Sequence, residues 1–118
     1  YTYPDLMIVC GGARADATSP TTIVNPKVIF EVLSPGTELY DRGAKFRQYQ
    51  RIPSLAEYVL VSQDEPLVER FVRQPDGNWL LSTFDGLESE FALSSVMVRV
   101  PMADVYRNVE FPPAGGPR

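Results

Sequence analysis

Four side chains in the first half of the chain have the types and spacing for metal-assisted chemistry: Asp5, Glu31, Asp41 and Lys45. Glu31 stands in the middle of KVIFEVLS (27–34), a run rich in β-branched and aromatic residues. On a pleated strand Ile29, Glu31 and Leu33 share one face and Val28, Phe30 and Val32 share the other, so both faces are apolar and the strand reads as central and buried. An isolated ionised carboxylate is costly to bury, and Glu is almost never fully buried without a partner. A metal ion or a lysine is the usual remedy. Hard divalent cations take carboxylate oxygens, and Mg²⁺ keeps several waters while using one or two carboxylates. Asp5 and Glu31 meet that demand if their strands are adjacent. A lysine beside such an ion orients or deprotonates the attacking water and neutralises charge building on a phosphate. The set suits phosphodiester hydrolysis.

The elements that must position these groups follow from pattern and punctuation. Tyr3 to Cys10 reads as a strand too short and too β-rich for a helix, which puts Asp5, after Pro4, at its beginning. Gly11 to Pro26 reads as loop, broken by Gly-Gly, Thr-Ser-Pro and Asn-Pro. Gly11-Gly12 is not a phosphate loop, because no helix opening on Lys-Ser/Thr follows it. Ser34-Pro35-Gly36-Thr37 turns the chain, with Ser34 or Thr37 available as an N-cap and Glu38 in the first turn. A helix is expected from Glu38 to Arg51, stopping at Ile52-Pro53. At 100° per residue Leu39, Phe46 and Tyr49 form one stripe with Arg42 within it, and Lys45 stands beside Tyr49 and Ile52, bordering the sheet-facing side.

Leu55 to Ser62, Leu67 to Arg73 and Asn78 to Phe84 read as three further strands, separated by Gln63-Asp64-Glu65-Pro66 and by the hairpin signal Pro75-Asp76-Gly77. The alternation of Leu67, Glu69 and Phe71 with Val68, Arg70 and Val72 suits a strand near a sheet edge. A short strand at Val96 to Val100 and one helical turn over Pro101 to Tyr106 complete the pattern. The order strand, loop, strand, helix, strand, hairpin predicts an α/β fold in the α+β range, a mixed sheet with a crossover helix on one face.

At 118 residues the chain fits one domain, 1–111, followed by a flexible tail, 112–118, in which PPAGGPR has nothing to bury. It starts at Tyr1 and enters a strand at once, so an N-terminal portion of a longer protein is expected to be missing. No apolar run approaches 18 residues, so no membrane partner is expected. The single Cys10 leaves no internal disulfide, suits a reducing, cytoplasmic setting, and is expected to be buried as a small apolar residue. The absence of His excludes a Ser-His-Asp triad, a Cys-His dyad and His-ligated zinc within these residues. The net charge of −4 weighs against nucleic-acid binding without ending it, since a local basic patch can coexist with an acidic whole.

Pro4-Asp5, then Glu31 in E-V-L-S-P, then Asp41 and Lys45 in D-x-x-x-K with Tyr49 following, resembles the Uma-two family of restriction-endonuclease-like proteins, part of the PD-(D/E)XK nuclease superfamily. The resemblance continues into Glu57-Tyr58-Val59-Leu60-Val61, where the family has an E-Y-W-L-V-like strand, and covers roughly residues 3 to 73. It implies a restriction-endonuclease-like fold and a metal-dependent endonuclease acting on DNA, with Mg²⁺ (or Mn²⁺) as cofactor. Asp5 and Glu31 would be the metal-binding acids, with the backbone carbonyl of Val32 a further ligand. Lys45 would be the catalytic amine, with Asp41 and Tyr49 in support. In the usual superfamily pattern the lysine lies two residues after the acid, a position held here by Leu33. The chain is similar to those members in which the lysine has moved to the neighbouring helix. The family typically also has an N-terminal helix that completes the domain.

Each residue has a blander reading. Asp5 is also a common turn residue after proline, and Glu31 paired with Lys45 or Arg42 is also a buried structural ion pair. Asp41 and Lys45 form an ordinary i, i+4 helix pair. Arg42, Arg47 and Arg51 are candidates for phosphate contacts or solvated helix charges, and Tyr58, Phe71 and Trp79 suit packing better than base stacking. Two other functions therefore stand beside the nuclease: a catalytically inactive nuclease-fold binding or assembly module, and a structural sheet domain that forms a homodimer through its hairpin edge.

Overall fold

In chain order the elements of the computed structural model are β1 (Leu6–Val9), β2 (Ala15–Asp16), β3 (Ser19–Ile23), β4 (Pro26–Val32), α1 (Glu38–Arg42), α2 (Ala44–Tyr49), β5 (Glu57–Val61), β6 (Leu67–Arg73), β7 (Trp79–Asp85), β8 (Glu90–Leu93), β9 (Val98–Pro101) and α3 (Met102–Val105). The structure describes residues 4–11, 15–16, 19–23, 25–107 and 109. The flexible tail expected at 112–118 lies outside the described residues.

Five strands form one sheet in the order β1-β4-β5-β6-β7. Of its four pairings only β4–β5 is parallel; β1–β4, β5–β6 and β6–β7 are antiparallel. A parallel neighbour cannot be reached by a tight turn, so the chain leaves the end of β4 and returns through the helical segment before entering β5. This is the mixed sheet with a crossover helix on one face that the pattern predicts. The strand β6 lies one place in from the edge, and β7 forms the edge itself.

The two faces of β4 separate the core into two layers. Ile29 and Leu33 pack with Phe46 and Tyr49 of α2 and with Leu55, Tyr58 and Leu60. Val28 packs on the other face with Val59, Val68, Phe91, Leu93, Met102 and Tyr106. In the first layer Phe46 stacks on Tyr58 with ring centroids 4.5 Å apart and meets Phe71 and Trp79 at 4.7 and 5.2 Å. Tyr58, Phe71 and Trp79 are thus engaged in packing, and Arg73 lies over the Trp79 ring at 4.6 Å.

Four local expectations are corrected. The stretch expected to be loop, 11–26, contains the antiparallel pair β2–β3. Its breakers obscured the β-branched run Thr21-Thr22-Ile23, and a two-stranded ribbon tolerates Pro20 because one side of each strand is an edge. The helix expected from Glu38 to Arg51 is two segments, broken at Gly43, whose φ and ψ are −109° and −95°. A Cβ at that position would stand 3.1 Å from the Leu39 carbonyl oxygen, so glycine permits the close approach. The break changes the phase of the helix, and Leu39 leaves the expected stripe to become 90% exposed while Phe46 and Tyr49 stay buried.

Beyond β7 the single expected strand is half of a hairpin: β9 pairs with β8, with Phe91 opposite Val100. Phe91 and Leu93 of β8 cover the second core layer, which is why the chain continues past the sheet. Cys10 is exposed rather than buried, because β1 ends at Val9 on the sheet edge. Among the described residues no helix is long and apolar enough to cross a membrane.

Candidate active site

The acids and the lysine meet where β4 ends and the crossover helices begin. Antiparallel pairing of Leu6 with Phe30 sets Pro4-Asp5 alongside Glu31 and Val32. The Asp5 carboxylate accepts a hydrogen bond from the Val32 N–H at 2.7 Å. A strand residue points its N–H and C=O toward the same neighbouring strand, so the Val32 carbonyl is directed to the β1 side as well. Two residues along from the Leu6–Phe30 pair, the next rung would bring Pro4 opposite Val32, and proline has no N–H to offer that carbonyl. The Pro-Asp dipeptide therefore ends the ladder, and Asp5 and Val32 border the same cleft.

Glu31 is 1% exposed and Asp41 2%. Lys45 reaches across from α2 so that its Nζ lies 2.9 Å from Glu31 Oε2 and 3.5 Å from Asp41 Oδ1. The other oxygen of Glu31, Oε1, accepts from the Tyr49 hydroxyl at 3.2 Å. Burial pushes the Glu31 carboxyl up; the Lys45 ammonium and the Tyr49 hydroxyl oppose that shift, the Asp5 charge adds to it, and the carboxyl stays above its ordinary value. Burial alone would lower the Lys45 ammonium, but the hydrogen bonds and charges of Glu31 and Asp41 outweigh it and the group is raised. Tyr49 is pushed up by burial and by the Glu31 charge, so its hydroxyl keeps its proton and acts as a donor.

Asp5, Glu31, Val32, Asp41 and Lys45 line a cleft of about 340 Å³ together with Ser34, Thr37, Tyr40 and Gln63, while Tyr49 supports Glu31 from behind it. Asp5, Glu31 and the Val32 carbonyl are hard oxygen donors, the donor set that Mg²⁺ or Mn²⁺ accepts. Among the described residues there is no cluster of three or more His, Cys, Asp or Glu side chains that could hold a metal. Two carboxylates and a carbonyl leave the remaining coordination positions to water, which is how Mg²⁺ is ordinarily bound. The residues present fit such a cation.

The remaining candidates are not in the cleft. Arg42 donates through both terminal nitrogens to Glu69 on β6, with the NH1 contact at 3.0 Å, and through Nε to Glu38 at 3.1 Å. Its guanidinium is committed to pinning α1 to the sheet, and those two carboxylates hold its pKa raised against the opposing effect of burial. Arg47 is exposed on α2. The ion pair considered for Glu31 is present with Lys45, and Arg42 takes no part in it.

Sequence reasoning missed two groups. Thr37 lies four residues before Asp41 and eight before Lys45, a spacing that on the expected unbroken helix would put the three on one face and was the available signal. Glu57, read only as part of a strand, is fully buried on the opposite layer. Its Oε1 accepts from the Ser95 N–H at 2.9 Å and from the Ser95 hydroxyl, and its Oε2 lies 3.9 Å from Arg70 Nε. Pairing with Val28 directs Glu57 away from the cleft, so it anchors the turn of the β8–β9 hairpin.

Residues 1–102 match the model of the Uma2 family, described as "Putative restriction endonuclease". The uncharacterized Synechocystis protein slr1290 is 35% identical over 111 residues, which is 94% of this chain and 57% of that protein. A second uncharacterized Synechocystis protein, sll1609, is 34% identical over 98 residues, 83% of this chain and 55% of its own length. The chain thus spans somewhat over half the length of these relatives. The crystal structure of a putative nuclease from Anabaena variabilis is similar with a TM-score of 0.65 at 15% identity, over 88% of this chain and 59% of that one. At that identity the likeness is one of fold.

Proposed function

This chain belongs to the Uma2 family, and on that premise we propose that it is the core of a metal-dependent endonuclease that hydrolyses phosphodiester bonds in DNA. The observation that carries the reading is the approach of Lys45 Nζ to within 2.9 Å of Glu31 Oε2, beside the Asp5–Val32 pair, in an open cleft. A Mg²⁺ or Mn²⁺ ion held by Asp5, Glu31 and the Val32 carbonyl would polarise the phosphodiester and make a bound water more acidic. Tyr49 fixes the orientation of Glu31 by donating to one of its oxygens. An ammonium has three N–H donors. Glu31 and Asp41 take two from Lys45, and the third is left for the attacking water or a phosphate oxygen.

Titrating Mg²⁺ or Mn²⁺ into the complete protein while following thermal unfolding tests the site directly. A ligand that binds only the folded state stabilises it by about 2.7 kcal/mol at one hundred times its dissociation constant. The midpoint should therefore rise with metal, and a supercoiled DNA substrate should be nicked or linearised under the same conditions. A midpoint that ignores saturating metal would defeat the proposal.

The catalytically inactive binding or assembly module is favoured by the net charge of −4 and by Lys45 being the one cationic side chain that lines the cleft among the described residues. It predicts no cleavage at any metal concentration. Homodimerisation has its own surface: Leu80 and Leu81 of the edge strand β7 are 57% and 46% exposed. Sedimentation should then show a concentration-dependent dimer that Leu80→Lys disperses, since lysine on an edge strand opposes pairing; a monomer at every concentration would remove the idea.

A further inference from the structure

We propose that the hydroxyls of Ser34 and Thr37 form a relay that orients Asp41 and, through it, positions the Lys45 ammonium in the cleft. The inference rests on the nuclease reading and concerns residues that reading does not use. Thr37 occupies the N-cap position of α1, yet its side chain makes no cap hydrogen bond there. Threonine at an N-cap ordinarily accepts from the N–H of the second or third helical residue. Here Thr37 Oγ1 instead donates to Asp41 Oδ2 at 3.2 Å, and it lies 2.8 Å from Ser34 Oγ.

A threonine hydroxyl has a single hydrogen. Once it is given to Asp41, the Ser34 hydroxyl must be the donor in the Ser34–Thr37 contact. The donors then run in one direction, from Ser34 to Thr37 to Asp41 Oδ2. From the far end Lys45 donates to both Asp41 Oδ1 and Glu31 Oε2, and Tyr49 donates to Glu31 Oε1. With Oδ2 taken by Thr37, Asp41 can turn only Oδ1 toward Lys45. The lysine is thereby held between two carboxylates rather than folded fully onto Glu31. Ser34 and Thr37 both line the cleft that holds Lys45 and the two carboxylates.

Replacing Thr37 by valine in the complete protein removes the hydroxyl at nearly constant shape, and Thr37→Ser restores it. Groups that orient a site's first contacts typically change activity by about tenfold or more. For Thr37→Val kcat should fall about tenfold, with KM for DNA and the Mg²⁺ dissociation constant unchanged, and Thr37→Ser should recover most of the loss. Independently of cleavage, the Lys45 Nζ resonance of the metal-free protein should shift in Thr37→Val and return in Thr37→Ser. An unmoved resonance overturns the relay whether or not the protein cleaves DNA. A shifted resonance with wild-type kcat reduces it to a packing contact and overturns the role. Absence of cleavage by the wild type would instead sink the nuclease reading and leave the resonance to decide the positioning. Should Thr37→Val not fold, Ser34→Ala reads the same relay one donor earlier and should move the resonance and kcat in the same direction by less.

Discussion

Lys45→Met should abolish most DNA cleavage while leaving metal binding in place. The substitution keeps an unbranched apolar stem but removes the ammonium that lies 2.9 Å from Glu31 and 3.5 Å from Asp41. Removing one group that stabilises transition-state charge costs on the order of 10²–10³ in kcat. It also leaves Glu31 and Asp41, both almost wholly buried, without their shared cation. Breaking a buried pair in this way costs about 3–5 kcal/mol, so the metal-free variant should unfold at markedly lower denaturant concentration. A divalent cation can neutralise part of that uncompensated charge, so the thermal midpoint of the variant should respond more steeply to Mg²⁺ than that of the wild type. A purely structural ion pair predicts the same loss of stability with no response to metal. Parallel unfolding curves with and without Mg²⁺, together with a single-turnover cleavage assay, distinguish the two.

Glu31→Gln is the second large effect, and its sign depends on metal. In the folded protein the Glu31 carboxyl is raised above its ordinary value, chiefly by burial. A group raised on folding contributes stability that is fully present below its unfolded pKa and is lost as pH rises through the folded one. At neutral pH the ionised side chain is therefore a net cost to the metal-free fold, even with Lys45 beside it. Glutamine removes that cost while keeping an oxygen to accept from Tyr49. The metal-free variant should be more stable than wild type at neutral pH, and the difference should shrink as the pH is lowered toward the unfolded carboxyl value. With metal present the order reverses: the variant should show no metal-induced rise in its thermal midpoint and no cleavage. A wild-type metal response in Glu31→Gln would show that the cation, if bound, sits elsewhere.

The strands of the main sheet, though not their order, can be read along the chain. Alternation and β-branching mark β4, β5, β6 and β7 within a residue or two, because strand propensity and face assignment are properties of short windows. The two-sided apolar pattern of 27–34 marks β4 as buried on both faces, and the same pattern isolates Glu31 as the residue that needs a partner. The helix after β4 is legible, and with it Lys45 as a residue on its sheet-facing border. The resemblance carried by Pro4-Asp5, E-V-L-S-P and D-x-x-x-K names the family that the match over residues 1–102 shows.

What the windows could not hold was anything settled by distant neighbours. Whether Leu39 is buried depends on the break at Gly43, which changes the helix phase between two segments that each look regular. Arg42 lies within the expected stripe, but Glu69, twenty-seven residues on, captures it. The strand β8 has a weak pattern of its own and exists because β9 and the uncovered core layer receive it. Glu57 reads like any charged residue at a strand start until Ser95 and Arg70 close around it. The sequence alone determined that a carboxylate would be buried in the central strand and that a lysine would lie nearby. Only tertiary structure decided that Asp5 meets the end of that strand, that Lys45 bridges Glu31 and Asp41, and that Ser34 and Thr37 line the same cleft. Burial and strand propensity are summed over local pattern, whereas the convergence of charges depends on the register of β1 on β4 and on how the crossover helix is seated, and those are set by the packing of the whole sheet.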